Sequence, residues 1–262
     1  MEKDKTFNIK LLLPGLGGSF ITHGLGHPLY TIKTRLQVGV YNKFVECIKN
    51  TIKNEGYLSF YRGYPSLILS AGVIRPIEMA IFEILEKRTN NSYFSGFIAS
   101  GVAGTLGCPL SVIRIVMQSS NSKKHKNILH GTKYIYNNFG LKGFYAGYPA
   151  QMAYYLSLGT IYLGTYGTLR NYILGDKYDL FKYSLFSVTM SSLMKLTLYP
   201  IDTIRSVAQN ENISVKQAYN KVKANRIFYR GAYPVLLYLI PIHSCAILTY
   251  ETIKKYIMMN YK

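Results

Sequence analysis

The residues in this sequence that can do chemistry are charges set inside apolar stretches. Arg75 and Glu78 stand in Ala-Gly-Val-Ile-Arg-Pro-Ile-Glu-Met-Ala, and Lys195 stands in Ser-Leu-Met-Lys-Leu-Thr-Leu. A charge at mid-bilayer depth costs several kcal/mol unless it lines water or is paired. Arg75 and Glu78, three residues apart on one helix face, can also pair with each other. The chemistry such groups offer is reversible holding of a charged solute. Bond-making has no support: there is no nucleophile–base arrangement and no G-x-x-x-x-G-K-(S/T). Cys47, Cys108 and Cys245 are far apart, and the five histidines show no zinc-like spacing with them. No enzyme activity, cofactor, disulfide framework or metal site is expected.

Those charges fall within a threefold internal repeat. Pro28-Leu29-Tyr30-Thr31-Ile32-Lys33, Pro109-Leu110-Ser111-Val112-Ile113-Arg114 and Pro200-Ile201-Asp202-Thr203-Ile204-Arg205 share one pattern, and Gln37, Gln118 and Gln209 each follow nine residues after the proline. Tyr61-Arg62-Gly63, Tyr145-Ala146-Gly147 and Tyr229-Arg230-Gly231 come next, with glycines 84 residues apart. Nineteen residues beyond each glycine stand Phe82-Glu83, Tyr166-Gly167 and Tyr250-Glu251. Three signatures in register, three times over, are not a chance match.

Each unit reads as a long helix, a polar segment with a short helix, and a second long helix. The spacing predicts first helices near 9–38, 93–120 and 182–210, and second helices near 65–88, 149–173 and 232–258. The expected organisation is one domain over 1–262, with repeats at about 9–90, 91–176 and 177–262. At about 1.5 Å per residue each long helix can cross a bilayer core of about 30 Å. None is an unbroken apolar run, as expected if one stripe of each faces water. The three motif prolines predict kinks toward a common axis. Small residues such as Gly24, Gly26, Ser100, Gly104 and Ser191 would let helices approach closely.

The chain is 48% hydrophobic and 16% charged, with a net charge of +19 and a mean hydropathy of +0.06. Such a balance calls for an anionic neighbour: nucleic acid, lipid headgroups or a solute. The basic residues are not spread evenly. Segments 39–63, 119–147 and 210–231 hold fourteen Lys and Arg, whereas the connections 86–92 and 174–182 hold four. The positive-inside tendency puts the three intra-repeat segments in one compartment and both termini in the other. The opening Met1-Glu2-Lys3-Asp4-Lys5 resembles neither a secretory nor a transit segment, so any targeting signal is expected internally.

These motifs resemble those of the mitochondrial carrier family, and the resemblance covers nearly the whole chain. That family carries P-x-(D/E)-x-x-(K/R), then (D/E)-G-x4-(Y/F)-(K/R)-G, then (F/Y)-(D/E)-x-x-(K/R). Pro200 to Arg205 fits the first element, Glu55-Gly56 through Gly63 the second, and Tyr250 to Lys254 the third. The resemblance implies an all-α integral membrane protein. Six helices would form a pseudo-threefold bundle with short matrix-side helices, working by alternating access in the mitochondrial inner membrane. It also implies a monomer, with lipid such as cardiolipin at the short-helix N-termini. In that family each odd-helix acid pairs with the base of the following repeat and shuts the matrix side. Asp202 would therefore pair with Lys33, while Tyr30 and Ser111 leave Arg114 and Arg205 without acids. Gln37, Gln118 and Gln209 would brace beneath this network. Tyr30 would reach a neighbour through its hydroxyl. On the cytoplasmic side Glu83 would meet Arg170, Gly167 offers Lys254 nothing, and Glu251 would face Glu86.

The family's substrate contacts, carried over by the 84-residue register, are Ser70 and Ala71, Tyr154 and Tyr155, and Tyr238 and Leu239. One turn further come Arg75, Gly159 and His243, then Glu78. The odd helices contribute His23, Gly104 and Lys195. A basic cavity of this kind favours a small anion. Tyr154 and Tyr155 can stack on a planar base, an interaction worth about 1–3 kcal/mol in nucleic-acid complexes. A nucleotide or nucleotide-like cofactor is the first expectation, with phosphate or a carboxylate next. Departures from the gate motifs keep a transport-inactive receptor or scaffold in view. A nucleic-acid-binding protein would fit the charge, but no recognised module is present and the kinked apolar helices would have no purpose.

Overall fold

A computed structural model describes the backbone of residues 12–119, 127–174 and 180–239, and the side chains of 23–119, 127–165 and 188–239. All regular structure among the described residues is helical. Repeat one contains α1 (Leu12–Gln37), the short α2 (Phe44–Glu55), α3 (Tyr64–Leu69) and α4 (Arg75–Thr89). Repeat two contains α5 (Ser92–Ser119), the short α6 (Ile128–Phe139) and α7 (Tyr148–Leu174). Repeat three contains α8 (Leu180–Thr197), α9 (Tyr199–Glu211), the short α10 (Val215–Ala224) and the start of α11, 232–239. Only α5 is long and apolar enough among the described residues to cross a membrane by composition alone. The other long helices mix polar and apolar positions, as a water-facing stripe requires.

Two spans differ from the continuous helices expected of them. The fifth divides at Leu198, whose φ and ψ are −87° and 0°, and Pro200 opens α9 rather than kinking one long helix. Proline lacks the N–H that would carry the ladder through this point. Pro28 and Pro109, by contrast, lie inside α1 and α5. The second span holds a π-helical turn at Ser70–Ile74, in which the Arg75 N–H reaches back to the Ser70 carbonyl. Pro76 stands at the start of α4 and cannot donate to residue 72, so the preceding turn widens. Such turns cluster at functional sites, and this one carries two of the predicted contact positions, Ser70 and Ala71.

The small residues act where the helices meet. A Cβ on Gly159 would sit 2.2 Å from that of Ser100, and one on Gly96 would sit 2.8 Å from the Gly159 carbonyl oxygen. This lets α5 and α7 lie backbone to backbone. Gly26 likewise makes room for the Tyr238 ring, which a Cβ would approach to 2.2 Å. The short helices pack on the odd helices through apolar clusters: Ile32, Leu36, Cys47 and Phe60 in repeat one, and Val207, Ala208, Ala218 and Val222 in repeat three. Helix α10 opens with a reciprocal Ser214–Gln217 capping box, and Asn127 caps α6 by accepting from the His130 N–H.

The Tyr-x-Gly glycines close the ring. Gly63, Gly147 and Gly231 all have positive φ, a backbone that glycine adopts at little cost. A Cβ on Gly63 would lie 3.1 Å from the Arg114 carbonyl oxygen, one on Gly147 3.5 Å from that of Arg205, and one on Gly231 2.9 Å from that of Lys33. The glycine of each repeat therefore rests on the motif cation of the next, and repeat three returns to repeat one. This contact, made three times in rotation, is the pseudo-threefold bundle in its most local form.

Candidate functional site

At the short-helix end the odd helices meet in a buried polar layer. Lys33 Nζ donates to Asp202 Oδ2 at 2.5 Å, as the motif register predicts. Arg205 was expected to lack an acid, but its Nη2 donates to Asp202 Oδ1 at 2.5 Å. The reason is local: Asp202 and Arg205 are three apart on α9, so one carboxylate serves its own helix and α1 together. Arg114 does lack an acid among the described residues. Its guanidinium lies over the Tyr30 ring, 5.0 Å from the centroid, and Lys33 Nζ is 5.2 Å from the same ring. Tyr30 thus meets its neighbours through its ring face, where the sequence suggested its hydroxyl. The Arg205 guanidinium is 4.7 Å from the Tyr154 ring centroid.

The three glutamines lie in this layer and each joins its helix to the previous odd one. Gln37 Nε2 donates to Asp202 Oδ2 at 3.3 Å and to Thr203 Oγ1 at 3.1 Å. Gln118 Oε1 accepts from Thr34 Oγ1 at 3.0 Å. Gln209 Oε1 accepts from Ser111 Oγ at 2.9 Å, and its Nε2 donates to Gln151 Oε1 at 2.7 Å. Among the described residues only Gln37 touches the ion pair; Gln209 bonds to a hydroxyl and an amide, and Gln118 to the Thr34 and Thr31 hydroxyls and the His27 ring.

Above this layer lies a cavity of about 360 Å³. Arg75, Glu78, Ser70, Ala71, Tyr154, Tyr155, Tyr238, Leu239, Gly159, His23 and Lys195 all line it, so the register carried every described contact position except Gly104 to its wall. Gly104 packs beneath Tyr155 and Met152. Arg75 Nη1 donates to Glu78 Oε2 at 2.6 Å, so the pairing that sequence allowed is formed. The Arg75 side chain is 57% exposed, whereas that of Glu78 is 4% exposed. The pair thus holds its acid in the wall and keeps its guanidinium toward open space. His23 Nδ1 lies 3.0 Å from the Tyr238 hydroxyl, which gives that histidine a partner between helices. Tyr30, Arg114 and Arg205 also line the cavity. Tyr30, Tyr154, Lys195 and Tyr238 line a second void of about 20 Å³ beside Lys33 and Asp202 as well, and so stand between the cavity and the ion-pair layer.

His243, Glu251 and Lys254, and the side chain of Arg170, lie outside the described residues. Glu83 is exposed, and Glu86 accepts from Ser92 Oγ at 2.6 Å. Among the described residues no group of His, Cys, Asp and Glu could hold a metal ion. Cys47 and Cys108 are free and buried.

Sequence reasoning missed one further charged network. Arg35, fully buried, donates from Nη1 to Glu55 Oε1 at 2.8 Å and from Nη2 to Glu55 Oε2 at 2.9 Å. It also reaches the Thr51 hydroxyl at 2.7 Å and, through Nε, the Gln118 carbonyl at 2.9 Å. Arg62 pairs with the same Glu55. The signal was available in the Glu55-Gly56 motif, but Arg35 stands in no repeated position, since Val116 and Val207 replace it in the register.

The family model for mitochondrial carrier proteins matches this chain three times in succession, over residues 4–93, 86–177 and 176–261. The chain belongs to the mitochondrial carrier family. It is a multi-pass solute transporter of the mitochondrial inner membrane and not an enzyme. Among curated relatives, the glutamate/glycine mitochondrial carrier ymc1 of Schizosaccharomyces pombe is 28% identical, over 95% of this chain and 94% of the relative. The human mitochondrial basic amino acids transporter is 25% identical over 93% and 89%. The mitochondrial ornithine transporter 1 of Saccharomyces cerevisiae is 25% identical over 86% and 88%. Such identities mark this carrier as a divergent member, in keeping with its departures from the family motifs at Tyr30 and Ser111.

Proposed function

We propose that this carrier moves a small acidic amino acid, with glutamate as the type, by alternating access through the central cavity. The observation that carries this reading is the charge set on the wall. One nearly buried carboxylate, Glu78, is paired with Arg75 and shares the cavity wall with Lys195, Arg114 and Arg205. A solute with two acid groups and one ammonium complements such a set: its acids meet the cations and its ammonium meets Glu78. A volume of about 360 Å³ falls at the small end of ligand cavities, which run from about 300 to 1,000 Å³. The relatives named for amino acids support the same solute class. In this reading Arg75, Glu78, Lys195, His23, Ser70, Tyr154, Tyr155 and Tyr238 hold the solute. Lys33, Asp202, Arg114 and Arg205 with the three glutamines form the matrix gate, and that gate is shut.

A nucleotide is the second reading, favoured by the tyrosines of the wall. Against it, one face of Tyr154 is taken by the Arg205 guanidinium, which leaves Tyr155 as the better platform. Uptake into liposomes decides between them. Glutamate uptake that is lost in Arg75→Ala, in protein with a wild-type unfolding temperature, is the expected result. Exchange of ADP without glutamate would favour the nucleotide. Transport of neither, with no thermal stabilisation by either, would point to the inactive receptor.

A further inference from the structure

Among the described residues, two of the three gate cations have an acid and one does not. Lys33 and Arg205 share Asp202. Arg114 makes no hydrogen bond or ion pair with any described residue, and its buried Nε has no partner. It is only 8% exposed, yet it lines the floor of the main cavity. Among the described residues its one compensation is the Tyr30 ring at 5.0 Å. A ring face attracts a cation less strongly than a carboxylate does, and a buried cation without an acid is costly. Tyr30 stands where Asp202 stands in the third repeat, so the residue that would neutralise Arg114 has been replaced by one that only orients it. Arg205 also has an unpartnered Nε, but its Nη2 already has Asp202, which makes it the poorer contact.

We propose that the solute's own acid group supplies Arg114 with the counter-charge its repeat withholds. Arg114 is then a specificity-determining contact at the cavity floor as well as a gate residue. This deepens the proposed function and rests on its premise that the solute is an anion. A bound acid group would complete the charge balance of the gate layer. The occupied carrier would therefore favour the shut gate more than the empty one, by the solute's differential affinity for the two states. A neutral solute of the same size would gain nothing at this position.

Thermal unfolding of the purified full chain with added L-glutamate, ADP or inorganic phosphate tests the contact, because binding to the folded state raises the unfolding temperature. The variants are Arg114→Gln, Tyr30→Asp and Tyr30→Asn. An anion that stabilises the wild type should need about 10- to 100-fold more to do so in Arg114→Gln, the loss of one charge-assisted hydrogen bond. Tyr30→Asp and Tyr30→Asn both lose the ring, but only the aspartate occupies the guanidinium. Tyr30→Asp should therefore bind the anion more weakly than Tyr30→Asn, and this pair decides the matter if Arg114→Gln does not fold. Equal binding by the two Tyr30 variants, or an unchanged concentration dependence in folded Arg114→Gln, overturns the proposal. Stabilisation by ADP or phosphate through Arg114, with glutamate inert, would refute the acidic amino-acid reading and leave this contact standing. Glutamate acting on wild type and Arg114→Gln alike would do the reverse. If none of the three stabilises the wild type, both fall.

Discussion

Replacing Asp202 with asparagine removes one negative charge and almost no volume, and it does so where three groups converge. Lys33 Nζ and Arg205 Nη2 each donate to it at 2.5 Å, and Gln37 Nε2 at 3.3 Å. Lys33 and Arg205 are each 2% exposed, so in Asp202→Asn two cations stay desolvated without an acid. Breaking a buried pair from one side costs about 3–5 kcal/mol. That cost falls on the state in which the layer is closed, since water can solvate both cations once the helices part. With about 1.4 kcal/mol per tenfold, the closed state should lose between roughly two and four powers of ten in population relative to the alternative. A single cysteine at Ser70, on the cavity wall, reports the change in a background lacking the natural cysteines. In proteoliposomes an impermeant thiol reagent should label wild type from the cytoplasmic side and Asp202→Asn from the matrix side. Ser111→Asp should act in the opposite direction, because a second acid beside Arg205 frees Asp202 for Lys33. Identical labelling of wild type and both variants would mean that this layer is not a gate.

Three other outcomes follow from the packing. Arg35→Ala should lower stability by about 1–3 kcal/mol, since it removes the buried bidentate contact and leaves Glu55 to Arg62 alone. Arg35→Lys should recover little of it, because a lysine cannot make the bidentate contact; chemical denaturation in detergent measures both. Gly159→Ala should cost about 1–3 kcal/mol by forcing α7 off Ser100, visible as a lower unfolding temperature, whereas Gly140→Ala, with open space around it, should show only the strain of its positive φ. Burial pushes the Cys47 thiol up from 9.0 to about 11, so the unfolded chain releases that proton first. Stability should then fall as pH rises from 9.0 toward about 11, and Cys47→Ser should flatten that part of the profile. Native protein should also resist alkylation at Cys47 until it unfolds.

The repeat by itself determined most of the architecture. Motifs repeated three times put equivalent side chains at equivalent heights, the even-helix ones 84 residues apart, so the Lys33–Asp202 pair and the cavity positions of Arg75, Tyr154, Tyr155, Lys195 and Tyr238 could be read from register alone. Periodicity of this kind reports which residues share a level, because helices of one length and pitch are stacked about one axis. What it does not report is how a residue that departs from the repeat finds a partner. Tyr30, in an acid's position, turned its ring to Arg114. Arg205, denied an acid by Ser111, took the one on its own helix. The π-helical turn before Arg75 and the break at Leu198 both trace to prolines visible in the sequence, but a missing N–H only permits a local defect; the packing of neighbouring helices selects which one forms. Arg35 shows the same limit from the other side. A lone basic residue in an amphipathic helix carries no mark of burial, and only the arrival of Glu55, Thr51 and the end of α5 around it converts a charge into a structural tie.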